Sequence, residues 1–310
     1  MDDAPWGELT WLEMDRLVVS YLRGSGPERL AIATLDGEFA PMNVPEDPAC
    51  RGTSYGFPRA DGGRLLAIEM CYRVEPDLFA TYNLVEVDPS ERTVKPLMNA
   101  PSEERLFAMS LEPDGSGAAV MIGSSICSTL GIASSGGVDL LSLEVRDGDR
   151  SWNLRDGYPL ENTAETCSQV GLAAWPAWST GGFAFFGSPQ SIGIEGPARA
   201  DAPSNLYLMN DPAGSAYSVI LNDIGDPRAL EWSPDGEWLV FTGDVPSMGP
   251  GVWLIDASSH RLVQVSAYLA EFLSWSPDGT QLAIVKTTSS TGIGKAEIRI
   301  ADIDQILASS

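Results

Sequence analysis

Histidine is nearly missing from this chain: His260 is the only one in 310 residues. With one imidazole and no Cys-x-x-Cys pair, the sequence gives no sign of a Cys/His zinc site, and any Ser-His-Asp triad would have to be built around that single position. Lysine is almost as scarce, with only Lys95, Lys286 and Lys295. Lys and Arg together number 19 against 43 Asp and Glu, a formal charge of −24. A surface this acidic repels phosphate backbones and anionic headgroups, which excludes nucleic-acid binding through a basic groove. It keeps the protein soluble and is compatible with a basic partner or a cation. Long apolar runs are also absent, and none approaches the roughly 20 residues that span a bilayer as a helix.

Cysteine is limited to Cys50, Cys71, Cys127 and Cys167, with no Cys-x-x-Cys pair. An even number of widely spaced cysteines reads as two disulfides and an oxidising compartment; four buried thiols is the alternative. The opening residues, Met1-Asp2-Asp3-Ala4-Pro5, lack the charged and apolar regions of a signal peptide. A secreted protein would then be one whose leader was replaced by an initiator Met, or an excised domain. The 31 Gly and 22 Pro suit many short strands joined by turns.

What the chain does contain is a repeat. Leu230-Glu231-Trp232-Ser233-Pro234-Asp235-Gly236-Glu237-Trp238-Leu239-Val240-Phe241 is nearly superposable on Leu273-Ser274-Trp275-Ser276-Pro277-Asp278-Gly279-Thr280-Gln281-Leu282-Ala283-Ile284. Each is an apolar run, a Ser-Pro-Asp-Gly turn and a second apolar run. Pro presets one turn dihedral and Gly supplies the positive φ that closes it, so each unit is a hairpin. Third runs ending in Asp follow, at Val252 to Asp256 and Ile298 to Asp302, and a fourth at Arg261 to Val265. Degenerate copies occur earlier: Leu111-Glu112-Pro113-Asp114-Gly115 keeps the turn, Trp178-Ser179-Thr180-Gly181-Gly182 shortens it, and Phe57 to Gly63 lengthens it. The anchors Trp11, Phe57, Leu111, Trp178, Trp232 and Trp275 are 46, 54, 67, 54 and 43 residues apart. Each interval holds four antiparallel strands, which is one propeller blade.

The fold class read from this pattern is all-β: a single six-bladed β-propeller domain over residues 1–310, with four-stranded antiparallel blades. Their approximate bounds are 8–42, 53–98, 105–155, 170–221, 227–266 and 271–310. The repeat resembles that of the TolB-like six-bladed propellers, with their W-S-P-D-G-x-x-[LI]-[AV] signature. The resemblance is specific in the last two blades, fair in the third and fourth and weak in the first two. That family serves in periplasmic translocation, in extracellular sensing, and ahead of the catalytic domain of prolyl oligopeptidases, for which this chain has no residues to spare. Trp178, Trp232 and Trp275, with Asp114, Asp235 and Asp278, are read as structural repeat positions, the tryptophans packing between neighbouring sheets.

In such propellers the first turn of every blade lies on one face, and the longer loops gather on the other. The loop-rich face would then carry Asn43 to Arg51, Cys71 to Ala80, Ile122 to Gly137, Tyr158 to Val170, Gly187 to Ser204 and Gly243 to Pro250. The hairpin about Asp61-Gly62 brings residues near 50–52 opposite 71, so Cys50 is expected to bond Cys71. Cys127 and Cys167 reach the same face, and a bond between them would staple blades three and four. In blade six, Gln305 to Ser309 is what remains for a fourth strand. Closure is expected by packing of blade one on blade six, with Asp3 to Leu9 adding a short edge pairing.

Candidate chemistry is thin. Gly52-Thr53-Ser54-Tyr55-Gly56 matches G-x-S-x-G, but no helix pattern follows and His260 falls on the opposite face, so it reads as a turn. Asp147-Gly148-Asp149 lacks the ligand spacing of a calcium loop. No cofactor is implied, and a structural cation would find its ligands mainly among channel carbonyls. Glu112, Glu231 and Glu271 lie on or beside inner strands, where a propeller hydrolase or lyase would keep its carboxylates. The absent triad and metal cluster favour a non-enzymatic module that docks a protein or cell-surface polymer in the periplasm, at the cell surface or outside the cell. Its loop-rich face offers Glu46, Asp47, Glu75, Asp77, Glu161 and Glu165. A channel enzyme, or the sensor domain of a larger receptor, is the alternative.

Overall fold

In the computed structural model the described residues are 6–22, 27–61, 64–73, 79–99, 104–111, 117–124, 140–147, 150–153, 174–187, 203–210, 216–287 and 296–310. They fall into two compact units, Met1–Ser102 with Ala270–Ser310, and Glu103–Leu269. Both are built of antiparallel sheets whose strands follow chain order, as a chain of hairpins dictates.

The first unit holds two four-stranded sheets. One comprises β1 (Trp6–Glu13), β2 (Arg16–Leu22), β3 (Glu28–Thr34) and β4 (Phe39–Pro41); the other comprises β5 (Gly52–Asp61), β6 (Arg64–Arg73), β7 (Phe79–Asp88) and β8 (Thr93–Asn99). Their strands span 6–41 and 52–99, close to the bounds expected for blades one and two. In the second unit, β9 (Glu104–Leu111), β10 (Gly117–Ser124), β11 (Leu140–Asp147) and β12 (Arg150–Asn153) form a further four-stranded sheet.

Blades four and five depart from the expectation, because they share a strand. β13 (Ala174–Ser179), β14 (Gly182–Gly187), β15 (Ser204–Met209), β16 (Ser218–Trp232), β17 (Trp238–Val245), β18 (Gly249–Asp256) and β19 (Leu262–Ser266) make one seven-stranded sheet. The 15 residues of β16 pair with β15 through their first half and with β17 through their second. Blade six also differs. After β20 (Phe272–Trp275), β21 (Gln281–Thr287) and β22 (Ala296–Asp302) the chain turns into a helix, α1 (Ile303–Ser309), where a fourth strand was expected. Asp302 caps it, its side chain accepting from Gln305 N at 2.9 Å. That cap commits the next residues to a helix and removes them from the sheet edge.

The repeat turns form as the sequence requires. Ser233 N–H donates to Trp238 O at 2.8 Å, Asp235 Oδ1 accepts from Ser233 Oγ and Glu237 N, and Gly236 has φ +72°. The turn at Ser276 to Gly279 repeats these bonds with Asp278, and Gly279 has φ +73°. Trp232 and Trp275 are buried, while Trp178 is half-buried against Phe183, its ring centroid 5.7 Å away. Asp114 lies outside the described residues.

A second periodicity emerges between blades. At three anchors the preceding hydroxyl accepts from an inner-strand amide of another sheet: Thr10 from Ala60, Ser110 from Trp178, and Ser274 from Trp11. By this criterion the anchor of blade two is Ala60, not Phe57. The cause is a bulge in β5 between Gly56 and Arg59, where Phe57 adopts φ +52° and adds a residue to the strand. Blade six packs on blade one as expected. Trp11 Nε1 donates to Ser274 O at 3.0 Å, and Ala283 and Val285 join Leu9, Trp11, Leu17 and Val19 in one core. Trp6 to Leu9 pair with β2, however, so they belong to the inner strand of blade one and add no edge pairing.

Candidate functional site

The best-built surface among the described residues lies at one end of blades one and two, opposite the turns that join β1 to β2 and β5 to β6. Gly52 pairs with Tyr72 and Thr53 with Cys71, which leaves Cys50 two residues before the first pair and within reach of Cys71. The two are disulfide-bonded, with Cα atoms 5.3 Å apart. Cys127 and Cys167 lie outside the described residues. Arg51 N–H donates to Tyr72 O, and Cys50 N–H to Asp47 O, so the segment entering β5 is fixed at several points.

Of the expected binding acids, Glu46 is exposed and ion-paired with Arg29. Asp47 is exposed too, but its carboxylate accepts from Ala49 N–H at 2.8 Å and so serves its own turn. Glu75, Asp77, Glu161 and Glu165 fall outside the described residues. Asp47 also lies within metal-ligand range of both cysteine sulfurs, yet those sulfurs bond each other and offer no thiolate.

Beneath this segment, Tyr55 Oη sits 2.7 Å from Pro45 O and 3.1 Å from Glu69 Oε1, its one proton serving either acceptor. Asn83 Nδ2 donates to the other Glu69 oxygen at 2.8 Å. Burial first, and then the Glu69 charge, push the phenol far above its ordinary range. The tyrosine is thus a fixed neutral post under the disulfide segment.

Two further carboxyls approach blade two from blade one. Glu8 on β1 is buried, with the Phe57 backbone of the β5 bulge near its carboxyl. Desolvation holds its carboxyl well above the usual range, and the neighbouring Glu28 raises it further; Arg59 partly offsets both. Glu28, at the start of β3, is raised by burial as well, and the nearby Ser20 hydroxyl eases the shift without completing a well-formed hydrogen bond. Its backbone N–H donates to Ser54 Oγ at 3.1 Å, and its carboxylate lies over Gly56, where a Cβ would meet Oε2 at 3.2 Å.

The G-x-S-x-G segment is therefore strand β5 rather than the expected turn, and its serine is a buried acceptor. His260 occupies the turn between β18 and β19 at φ +59°, in the other unit. Of the inner-strand acids, Glu231 is half-buried on β16 and Glu271 precedes β20, its N–H donating to Val285 O. Glu112 lies outside the described residues. Sequence reasoning missed Glu8 and Glu28. The available signal was their position: Glu8 is three residues before an anchor tryptophan, on a strand packed from both sides.

No family model matches the chain, and no curated protein matches it. Solved structures do. An oligogalacturonate lyase in complex with manganese is 12% identical, with TM-score 0.55, over 98% of this chain and 77% of that one. A puromycin hydrolase S511A mutant is 15% identical, with TM-score 0.58, over 98% of this chain, which spans only 44% of the hydrolase. Both are propeller proteins, and at such identity the likeness is one of fold. A putative TolB from Agrobacterium tumefaciens is 13% identical at TM-score 0.46, too distant to weigh. The first two comparisons correct the expectation of a chain without catalysis. The same fold carries a lyase and a hydrolase, so a missing Ser-His-Asp set does not argue against an enzyme here.

Proposed function

We propose that the chain is a six-bladed, TolB-like β-propeller, acting outside the cytoplasm, whose loop-rich end docks a protein or a cell-surface polymer. The observation that carries this reading is the Cys50–Cys71 disulfide, which ties the connection between blades one and two to β6. A loop end fixed in advance loses less entropy on association, and this favours binding of a large partner. A disulfide also fits an oxidising compartment, and no helix among the described residues is long and apolar enough to cross a membrane. The net charge of −24 selects a basic partner and makes its capture salt-dependent.

The test is to cross-link the protein on native cell surfaces and map the cross-links by mass spectrometry. Contacts are expected within residues 43–51 and 71–80, and charge reversal of Glu46, Asp47, Glu75 and Asp77 should weaken capture. A footprint on the Ser-Pro-Asp-Gly turns near Asp235 and Asp278 would overturn the reading. The same end would serve equally in the sensor domain of a larger receptor. A carboxylate-based hydrolase or lyase is the second reading, and the convergence of Glu8 and Glu28 favours it. Turnover of a polysaccharide or peptide that disappears in Glu8→Gln would put it in place of docking.

A further inference from the structure

Two buried oxygens beside Glu28 lack partners. Glu8 Oε2 and Ser20 Oγ make no hydrogen bond, although Glu8 is 7% exposed and Ser20 fully buried. A buried carboxyl oxygen stranded in this way is costly until a proton or a cation pairs with it. We propose that Glu8, Ser20 and Glu28 form a buried site for one monovalent metal cation of about sodium size, held between blades one and two.

Strand geometry brings the three together. Ser20 follows Val18 by two residues on β2, and Glu28 precedes Leu30 by two on β3. Val18 and Leu30 share a core with Tyr55, Leu65 and Ala67 of blade two, so strand alternation puts Ser20 and Glu28 on that same face. Glu8 precedes Thr10 by two on β1, and the Thr10 hydroxyl meets Ala60 of blade two. With Ser20 paired to Leu30, and with the irregularity of β1 between Trp6 and Leu9 falling opposite Ser20, the three side chains end in one row.

Chemistry then selects the occupant. All three donors are oxygen, which favours a hard cation over a thiophilic or imidazole-seeking one. Charge sets its valence. Two carboxylates, with the Arg59 guanidinium acting on Glu8, leave one negative charge, which one positive charge balances and a divalent ion overshoots. A proton would close a single oxygen, whereas a metal ion takes both orphans and Glu28 at once. Gly56 keeps the Glu28 carboxylate in place, because a Cβ there would press on Oε2.

Melting of the whole chain in sodium, choline and calcium chlorides at matched ionic strength tests the site, with sodium-23 linewidths as a readout independent of stability. Sodium should raise the melting temperature saturably above choline and broaden the sodium resonance. Glu8→Gln and Glu28→Gln should abolish both effects, and Ser20→Ala should raise the midpoint sodium concentration about tenfold, the loss of one ligand bond. Glu8→Gln keeps the side-chain volume and removes a buried charge, so it should melt no lower than wild type in choline. Equal melts in sodium and choline would overturn the proposal. So would a sodium effect that survives both glutamine variants, or calcium saturating at lower concentration than sodium.

Discussion

Removing the Cys50–Cys71 bond by the double change Cys50→Ala and Cys71→Ala is the sharpest test of how the first unit is held together. The bond joins residues 21 apart in sequence. By loop-closure entropy, a ring of that size destabilises the unfolded chain by about 3 kcal/mol. Cys71 is 1% exposed, so its truncation also forfeits packing, on the order of 1 kcal/mol. The unit contains about 140 residues, a size at which each kcal/mol moves the melting temperature by roughly 4 °C. The double variant should therefore melt roughly 12 to 16 °C below wild type. Differential scanning calorimetry of both proteins without reductant measures this. A difference under about 3 °C would refute the reasoning, since it falls below the roughly 2 kcal/mol that loss of a native disulfide typically costs. Alkylation of Cys50 and Cys71 in the native protein without reductant would refute it more directly.

Two other outcomes follow from the repeat turns and caps. Gly236→Ala should destabilise by about 1 to 2 kcal/mol in chemical denaturation, because φ is +72° and the new Cβ would meet Gly181 N and Thr180 Oγ1, each at 2.8 Å; an unchanged midpoint would remove the turn argument. Asp256, with Ser259 N–H and then the Ser258 hydroxyl donating to it, has its carboxyl lowered to about 2. The turn's contribution is thus complete above the ordinary carboxylate range and is lost as pH falls toward 2, and Ser258→Ala should move the carbon-13 titration of Asp256 upward.

The parts legible in the sequence were those that depend on local geometry. Ser-Pro-Asp-Gly fixes its own hairpin, and the hairpin about Asp61 already brought residues near 50–52 to the level of Cys71, although the register pairs Thr53 with it. The bulge at Phe57 was not legible, because a non-glycine residue at positive φ leaves no compositional mark, and it displaced the anchor of blade two to Ala60. Helix α1 had a signal that strand periodicity hid: Asp302 followed three residues later by Gln305 is a helix start. Glu8 and Glu28 were lost among 43 acids, nearly all of which the charge pattern reads as solvated. Only packing from two sides distinguishes them. The sharing of β16 between two sheets was equally invisible, since Asp223 and Asp226 at positive φ look like a loop between strands.

The discontinuity of the first unit has a consequence for how the chain matures. Its core combines Leu9 and Trp11 with Ala283 and Val285, and the Trp11–Ser274 bond spans 263 residues. The second unit, Glu103–Leu269, is a single stretch and can be completed as soon as it is made. Blade one cannot; its inner strand keeps Leu9 and Trp11 uncovered until the segment beyond Ala270 arrives. Such long-range closure is slow and leaves apolar surface available to chaperones in the interval. A nascent chain ending before residue 270 thus has a complete second unit and a first unit with an adhesive edge. A circular permutant opened between the units, with blade six joined directly to blade one, would turn that late contact into an early one.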